Sequence, residues 1–296
     1  MTKGQVRKTC PPSPLSIDMP ELPEVETMRR AILGAEGAVV AGVEKVACSR
    51  KAIGITPRID RLARRVVGQR VESVDRVGKR VALRLEEDDR LVIEPRMTGL
   101  VVTGESPDPL YLRVRVDLEG GELGRFWFWD RRGLGKVRLY DREEFAAAFS
   151  DDKLGPDGLV VTADDFRSRL GGSRREIKVA LLDQRAVAGI GNIYAAEILH
   201  VAGVHPSAKC DRLSRKQYSA IARATHEVLQ EAIKYEGSSL GDGTYRNKLN
   251  QDGGYQLHHR VYGREGEACA RCDAAVKRIV QAQRSTFFCP ACQKRR

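Results

Sequence analysis

The chain has 296 residues, 42% hydrophobic and 31% charged, an ordinary globular composition long enough for two modest domains with buried cores. No apolar run approaches the ~20 residues of a membrane span, and the N-terminus has no apolar segment of the kind a secretory signal needs, so membrane-spanning and signal-bearing classes are excluded. The formal charge is +11 and the pI about 9.4, which favours a polyanionic partner over a basic surface kept for solubility.

The first eighteen residues, with three prolines between Pro11 and Pro14, predict a disordered extension. Its charged residues are only Lys3, Arg7, Lys8 and Asp18, so the chain stays strongly basic without them. After it comes "MPELPEVET", where Pro23 predicts the first turn of a helix, Glu24 and Glu26 favour its N-terminal end, and Val25, Met28, Ile32 and Leu33 form its apolar stripe. That helix is expected to end near Gly34. From Val39 to Tyr140 short β-rich runs such as "RVALRL", "RLVIEP" and "GRFWFWD", broken by Gly, Pro and Asp, predict a sandwich or barrel.

Beyond "LGPDGL" the period turns helical, with "EIKVALLDQRAVAG", "NIYAAEILHVAG" and "SRKQYSAIARATHEVLQEAIKYEG". A Gly- and Asp-rich loop, 237–255, then leads to a small C-terminal unit. The expected organisation is an extension (1–19), a β-rich domain (20–150), a helical domain (151–255) and a terminal unit (256–296), an α+β chain overall.

Four of the seven cysteines lie in the last 28 residues, while Cys10, Cys48 and Cys210 stand alone, a usage that suits a reducing compartment. Cys269-x2-Cys272-x16-Cys289-x2-Cys292 has zinc-ribbon spacing: each C-x2-C pair supplies one edge of a tetrahedron, and four thiolates close the site, so one structural Zn2+ is expected. The five histidines are assigned surface or packing roles. Arg284, in "QAQRSTFFC", stands at a stiffened hairpin tip suited to clamping phosphate, although arginines are common at exposed tips. "GIGNIYAAEI" sets two glycines before a helix starting near Asn192, which suits either a phosphate site or a closely packed helical hairpin.

Pro20 raises a chemical question. Inside a chain its nitrogen is an amide with no available lone pair, whereas at the very start of a chain it is a secondary amine that can attack a sugar C1′. Glu21 beside it would move protons. Either Met19 is the start and is trimmed, or a genuine tail is removed by proteolysis, or the tail stays and the protein only binds DNA.

Taken together, "MPELPEVET", "GIGNIYAAEILHVAGVHP", "RVYGREGEAC", the four cysteines and "QRSTFFC" resemble the formamidopyrimidine-DNA glycosylases from Pro20 to Lys294. The resemblance implies an N-terminal β-sandwich, a helix-two-turn-helix domain, a zinc ribbon, and duplex DNA with oxidised bases or abasic sites between the domains. It makes Pro20 the Schiff-base nucleophile, Glu21 the acid/base, Lys79 a proton mover in β-elimination, and Arg284 a phosphate ligand linked to δ-elimination. Asn192, Arg174 and Arg175 match DNA-contacting positions. Met97 matches a wedge that fills the gap left by an everted base. Arg132 and Leu134 sit where arginine and phenylalanine are usual, so Leu134 departs from the pattern, as does Glu94 at a position often held by histidine. The loop after Gly237 corresponds to the family's cap over the everted base. A monomeric bacterial protein of the cytoplasm, gathered on the nucleoid by DNA binding, is expected. The alternatives are an endonuclease VIII-like enzyme for oxidised pyrimidines, a silent damaged-DNA binder, and a zinc-ribbon RNA-binding protein.

Overall fold

The computed structural model describes residues 19–239, 245–247 and 250–295. The extension expected over residues 1–18, and part of the cap expected within 237–255, fall outside them. The chain adopts the α+β architecture expected from its sequence.

Helix α1 (Leu22–Ala31) begins as the sequence predicts: Pro23 sits in its first turn, and Glu21 and Glu24 close a capping box in which the Glu21 N–H donates to Glu24 Oε2 at 2.9 Å. It ends three residues before Gly34, and a short 3-10 turn, Leu33–Ala35, carries the chain on.

Nine strands follow: β1 (Val39–Lys45), β2 (Gly54–Thr56), β3 (Val71–Arg76), β4 (Val81–Leu85), β5 (Arg90–Glu94), β6 (Gly99–Val102), β7 (Leu112–Glu119), β8 (Arg125–Asp130) and β9 (Lys136–Tyr140). They form two sheets, ordered β1-β7-β8-β6 and β2-β9-β5-β4-β3, antiparallel except for the β2–β9 pair. Alternating residues of both sheets, such as Val40, Val116 and Phe126 against Leu83, Leu91 and Leu139, share one core with Val25, Met28 and Ile32 of α1. Helix α2 (Ile59–Val66) interrupts the region that reads as strands throughout. Its Leu62 and Val66, four residues apart, are buried in the same core while its arginines face water, a helical period hidden in a charged stretch. Helix α3 (Arg142–Ala148) follows β9, started by an Asp141–Glu144 capping box.

A second core is built by α4 (Ala163–Leu170), α5 (Ile177–Leu181), α6 (Asn192–Ala202) and α7 (Arg215–Lys234). The long helix suggested by "EIKVALLDQRAVAG" is only the five residues of α5, because Gln184 organises a turn instead. Its amide donates to Leu182 O and Ile190 O and its oxygen accepts the Gly189 N–H. Helix α6 lies inside this core and is buried from Asn192 through His200. Strands β10 (Lys277–Gln281) and β11 (Arg284–Phe288) form the terminal hairpin.

Candidate active site and nucleic-acid interface

The start of α1 meets the start of α6. An α-helix leaves its first N–H groups without intrahelical partners, and here a side chain from the other domain supplies them. The buried Glu21 carboxylate accepts from Gly191 N at 2.6 Å, Ile193 N at 2.9 Å and Tyr194 N at 3.4 Å. Gly191 has to be glycine: a Cβ there would land on that carboxylate. Leu22 N donates to Gly189 O at 3.0 Å, so the backbone just after Glu21 is also registered on the "GIGN" turn. Pro20 is buried at this junction.

Glu24, one turn on, is also buried. It accepts from the Tyr194 hydroxyl at 2.6 Å and from Ser238 N at 2.8 Å. Burial pushes its carboxyl above the usual range, and these donors with the Glu21 N–H temper the rise. Glu26 binds Arg29, Arg30 and Arg76, and Arg76 holds Asp157 bidentately, a charged bridge between the domains.

Lys79 lies half-buried in the turn between β3 and β4. Gly78 next to it packs on the same "GIGN" turn, since a Cβ there would lie 3.4 Å from Ala188 Cβ and 3.9 Å from Gly189 N. Glu21 and Asn192 therefore meet at residues 188–192, with Pro20 next to Glu21 in the chain and the turn that carries Lys79 packed on the same residues. Asn192 is buried: its Oδ1 accepts from Lys178 Nζ at 2.5 Å and its Nδ2 donates to the Tyr262 hydroxyl at 3.4 Å. Lys178 is absent from the sequence-based list. The one signal for it was a lysine inside the apolar face of "EIKVALL", and its own side chain is wholly buried beside this turn.

The positions expected to form a wedge lie in a second group, after β5 and β8. The buried Asp130 carboxylate accepts from Thr98 Oγ1 at 2.5 Å, Arg132 N at 3.1 Å and Gly135 N at 2.7 Å, tying the 95–99 turn to the 131–135 loop. Met97 and Leu134 are half-buried, and the exposed Arg132 places Nη1 3.6 Å from Met97 Sδ. Glu94 accepts from Arg96 at 3.0 Å and Arg80 at 3.3 Å. Burial acts to raise its carboxyl, but the charges of Arg80 and Arg96 outweigh this and hold it below the usual range. Arg174 is exposed, and Arg175 is paired with Asp183 at 2.9 Å.

At the terminal hairpin the four Sγ atoms of Cys269, Cys272, Cys289 and Cys292 lie within 4.8 Å of one another. A tetrahedral zinc with bonds of about 2.3 Å sets sulfurs just under ~4 Å apart, so the cluster fits one structural Zn2+. Arg284 is exposed beside the hairpin tip, whose Ala282 and Gln283 take left-handed φ of 47° and 61°. The side chain of Gln281 across the pair is buried and donates to Glu176 at 2.7 Å, which seats the tip on the helical domain. His200, assigned from sequence to a surface or packing role, is fully buried with Nε2 3.4 Å from Cys269 Sγ. The C-x2-C spacing carries no trace of it, because it comes from a helix 69 residues earlier in the chain.

Comparison with known proteins places this arrangement. Residues 19–137 match the formamidopyrimidine-DNA glycosylase N-terminal domain, 154–243 the H2TH domain of the same family, and 266–295 the zinc finger found in FPG and IleRS. The formamidopyrimidine-DNA glycosylase of Chloroflexus aurantiacus is 40% identical over 280 residues, covering 93% of this chain and 98% of the relative. The crystal structure of the MutM (FPG) protein from Thermus thermophilus matches with TM-score 0.79 at 35% identity, over 93% of this chain and 98% of that one. A mutant Lactococcus lactis FPG in complex with a Fapy-dG containing DNA matches equally well, TM-score 0.79 at 31% identity, over 93% and 100%. The chain belongs to the formamidopyrimidine-DNA glycosylase family. Among the described residues no helix is long and apolar enough to cross a membrane.

Proposed function

We propose that this protein is a bifunctional DNA glycosylase and AP lyase of base-excision repair that removes oxidised purines, such as 8-oxoguanine and formamidopyrimidines, from duplex DNA. The observation that carries the reading is the Glu21 carboxylate held by three backbone N–H groups at the start of α6, those of Gly191, Ile193 and Tyr194, directly beside Pro20.

In this reading the Pro20 nitrogen, as a free secondary amine, forms a bond to C1′ of the everted nucleotide. The glycosidic bond breaks and the base leaves with its electron pair and a proton, and opening of the C1′–O4′ bond leaves an iminium between Pro20 and C1′. The iminium acidifies C2′. Removal of a C2′ proton expels the 3′ phosphate, and a second elimination expels the 5′ phosphate. Glu21 moves protons at the sugar, Lys79 serves the β-elimination, and Arg284 binds phosphate for the δ-elimination. Asn192, Arg174 and Arg175 hold the backbone, while Met97, Arg132 and Leu134 fill the gap in the stack. The working units are 20–150, 151–255 and 256–296, the enzyme acts as a monomer, and its site of action is DNA in the bacterial cytoplasm.

The chemistry requires Pro20 to be the first residue, so the active form lacks residues 1–19. Borohydride trapping on an abasic duplex tests this. A chain beginning at Pro20 forms a covalent adduct and a chain retaining residues 1–19 forms none; failure of the Pro20 form to trap would leave a damage-binding protein in place of an enzyme. Competition between duplexes carrying an oxidised purine and an oxidised pyrimidine separates the endonuclease VIII-like alternative.

A further inference from the structure

His200 occupies the last turn of α6, and its ring lies in the helical core with no exposed surface. Nε2 is 3.4 Å from Cys269 Sγ, while Nδ1 is buried without a hydrogen-bond partner. These two facts select a tautomer. With the proton on Nδ1, a buried N–H would go unpaired and the Nε2 lone pair would face the electron pairs of a metal-bound sulfur, both costly. With the proton on Nε2, the N–H points at the sulfur and only a bare lone pair is left over.

The same cysteine knuckle is held to the same helix a second time. Arg271, between Cys269 and Cys272, donates from Nη1 to His200 O at 3.0 Å and Val201 O at 3.4 Å, two carbonyls at the C-terminal end of α6 where a cation is favoured. Four thiolates around one divalent zinc leave net negative charge, and the fully buried Cys269 has no water to share it. A neutral imidazole N–H supplies that stabilisation without adding a charge to the core.

We propose that His200 donates a hydrogen bond to the zinc-bound Cys269 thiolate, stabilises the metal centre and registers the ribbon on α6. The inference rests on the four cysteines holding zinc and deepens the reading of the DNA-clamping ribbon. Its consequence is that Glu21 and the zinc knuckle grip opposite ends of one 11-residue helix, about 16 Å apart along its axis. Helix α6 then links the ribbon that carries Arg284 to Glu21, in addition to the Gln281–Glu176 contact at the hairpin tip. His200 is a positioning residue and touches no substrate.

The test uses the zinc-loaded chain beginning at Pro20 with two variants: His200→Phe fills the space with no donor, and His200→Gln restores an N–H. Zinc transfer to a chromogenic chelator is followed at fixed temperature, and the sulfur-to-metal charge-transfer band is recorded after Co2+ substitution. His200→Phe is expected to lose zinc about 10- to 100-fold faster and to shift the band to lower energy, with His200→Gln closer to wild type on both. Unchanged release and band in His200→Phe would overturn the proposal, and so would equal impairment of both variants, since that pattern reports packing alone. If His200→Phe does not fold, the imidazole 15N shifts of the zinc-loaded wild type decide: a proton on Nε2 supports the bond and a proton on Nδ1 refutes it. None of these readouts requires DNA cleavage, so failure of the wild type to trap an abasic duplex would overturn the glycosylase reading separately.

Discussion

Glu21 and Gly191 are in direct contact across the two domains: the Gly191 N–H donates to Glu21 Oε2 at 2.6 Å, and the space where a Cβ would sit is filled by the Glu21 carboxylate. One glycine thus opens the helix end and seats the acid. Gly191→Ala is expected to displace Glu21, and a shift of about 1 Å at a reacting group costs on the order of 10²-fold in rate. Single-turnover base excision should fall by that amount or more, beyond any change in melting temperature. Excision at the wild-type rate would show that the carboxylate need not be held there.

Lys79 makes a complementary case because it sits in a half-buried turn and not in the sandwich core. Lys79→Ala should leave the melting temperature nearly unchanged while slowing strand cleavage about 10²- to 10⁴-fold, the usual worth of one positioned proton carrier. The measurement is the rate of nicking at a preformed abasic site, and an unchanged rate would remove Lys79 from the site.

How far these relationships could be read from the sequence depends on how local they are. Pro23, Glu24 and the 3.6 period announce α1, and four cysteines at fixed spacing announce the ribbon, because each signal lies within a few residues of what it organises. Lys178 beside Asn192, Asp130 beside Thr98 and His200 beside Cys269 are pairings across 14 to 69 residues, and apart from a lysine on the apolar face of "EIKVALL" nothing in the local pattern marks them. Arginine-rich α2 and the Gln184 turn misread for the opposite reason: local composition suggested one element, and tertiary burial or a single side chain selected another.

The four-cysteine cluster predicts an effect at a distance from the metal. Cys272→Ser removes one ligand, and with it the rigid base of the hairpin that presents Arg284. Zinc content should fall and affinity for an abasic duplex should drop with it, while the sandwich keeps its own core. Binding measured by anisotropy alongside metal analysis checks this; full affinity in a zinc-free variant would sink the structural role.

Leu134 is half-buried on the loop that Asp130 pins to Thr98, and under the proposed function it fills the gap left by an everted base. An aromatic ring can stack on an orphan base where leucine cannot, a gain of about 1–3 kcal/mol. Leu134→Phe should therefore tighten binding to an abasic duplex about tenfold and sharpen discrimination among the four opposing bases. Equal affinities for wild type and variant across all four would show that this position does not face the orphan base.

The last expectation concerns acid. Burial alone would raise the Glu26 carboxyl, but hydrogen bonds from Arg29 and Arg30 and the charges of Arg29 and Arg76 outweigh it and leave the folded value below the ordinary one. A group depressed in this way stabilises the fold above its unfolded pKa, about 4.3, and loses that contribution as pH falls through the folded value. Glu26→Gln should then lower stability at pH 7 by about 1.5–3 kcal/mol, the worth of a hydrogen bond to a charged group, and the gap to wild type should close as the pH falls through the lowered folded value. Thermal melts of both proteins from pH 7 to pH 3 test the sign: a gap that widens on acidification would mean that the bridge through Arg76 to Asp157 does not depend on the ionised Glu26.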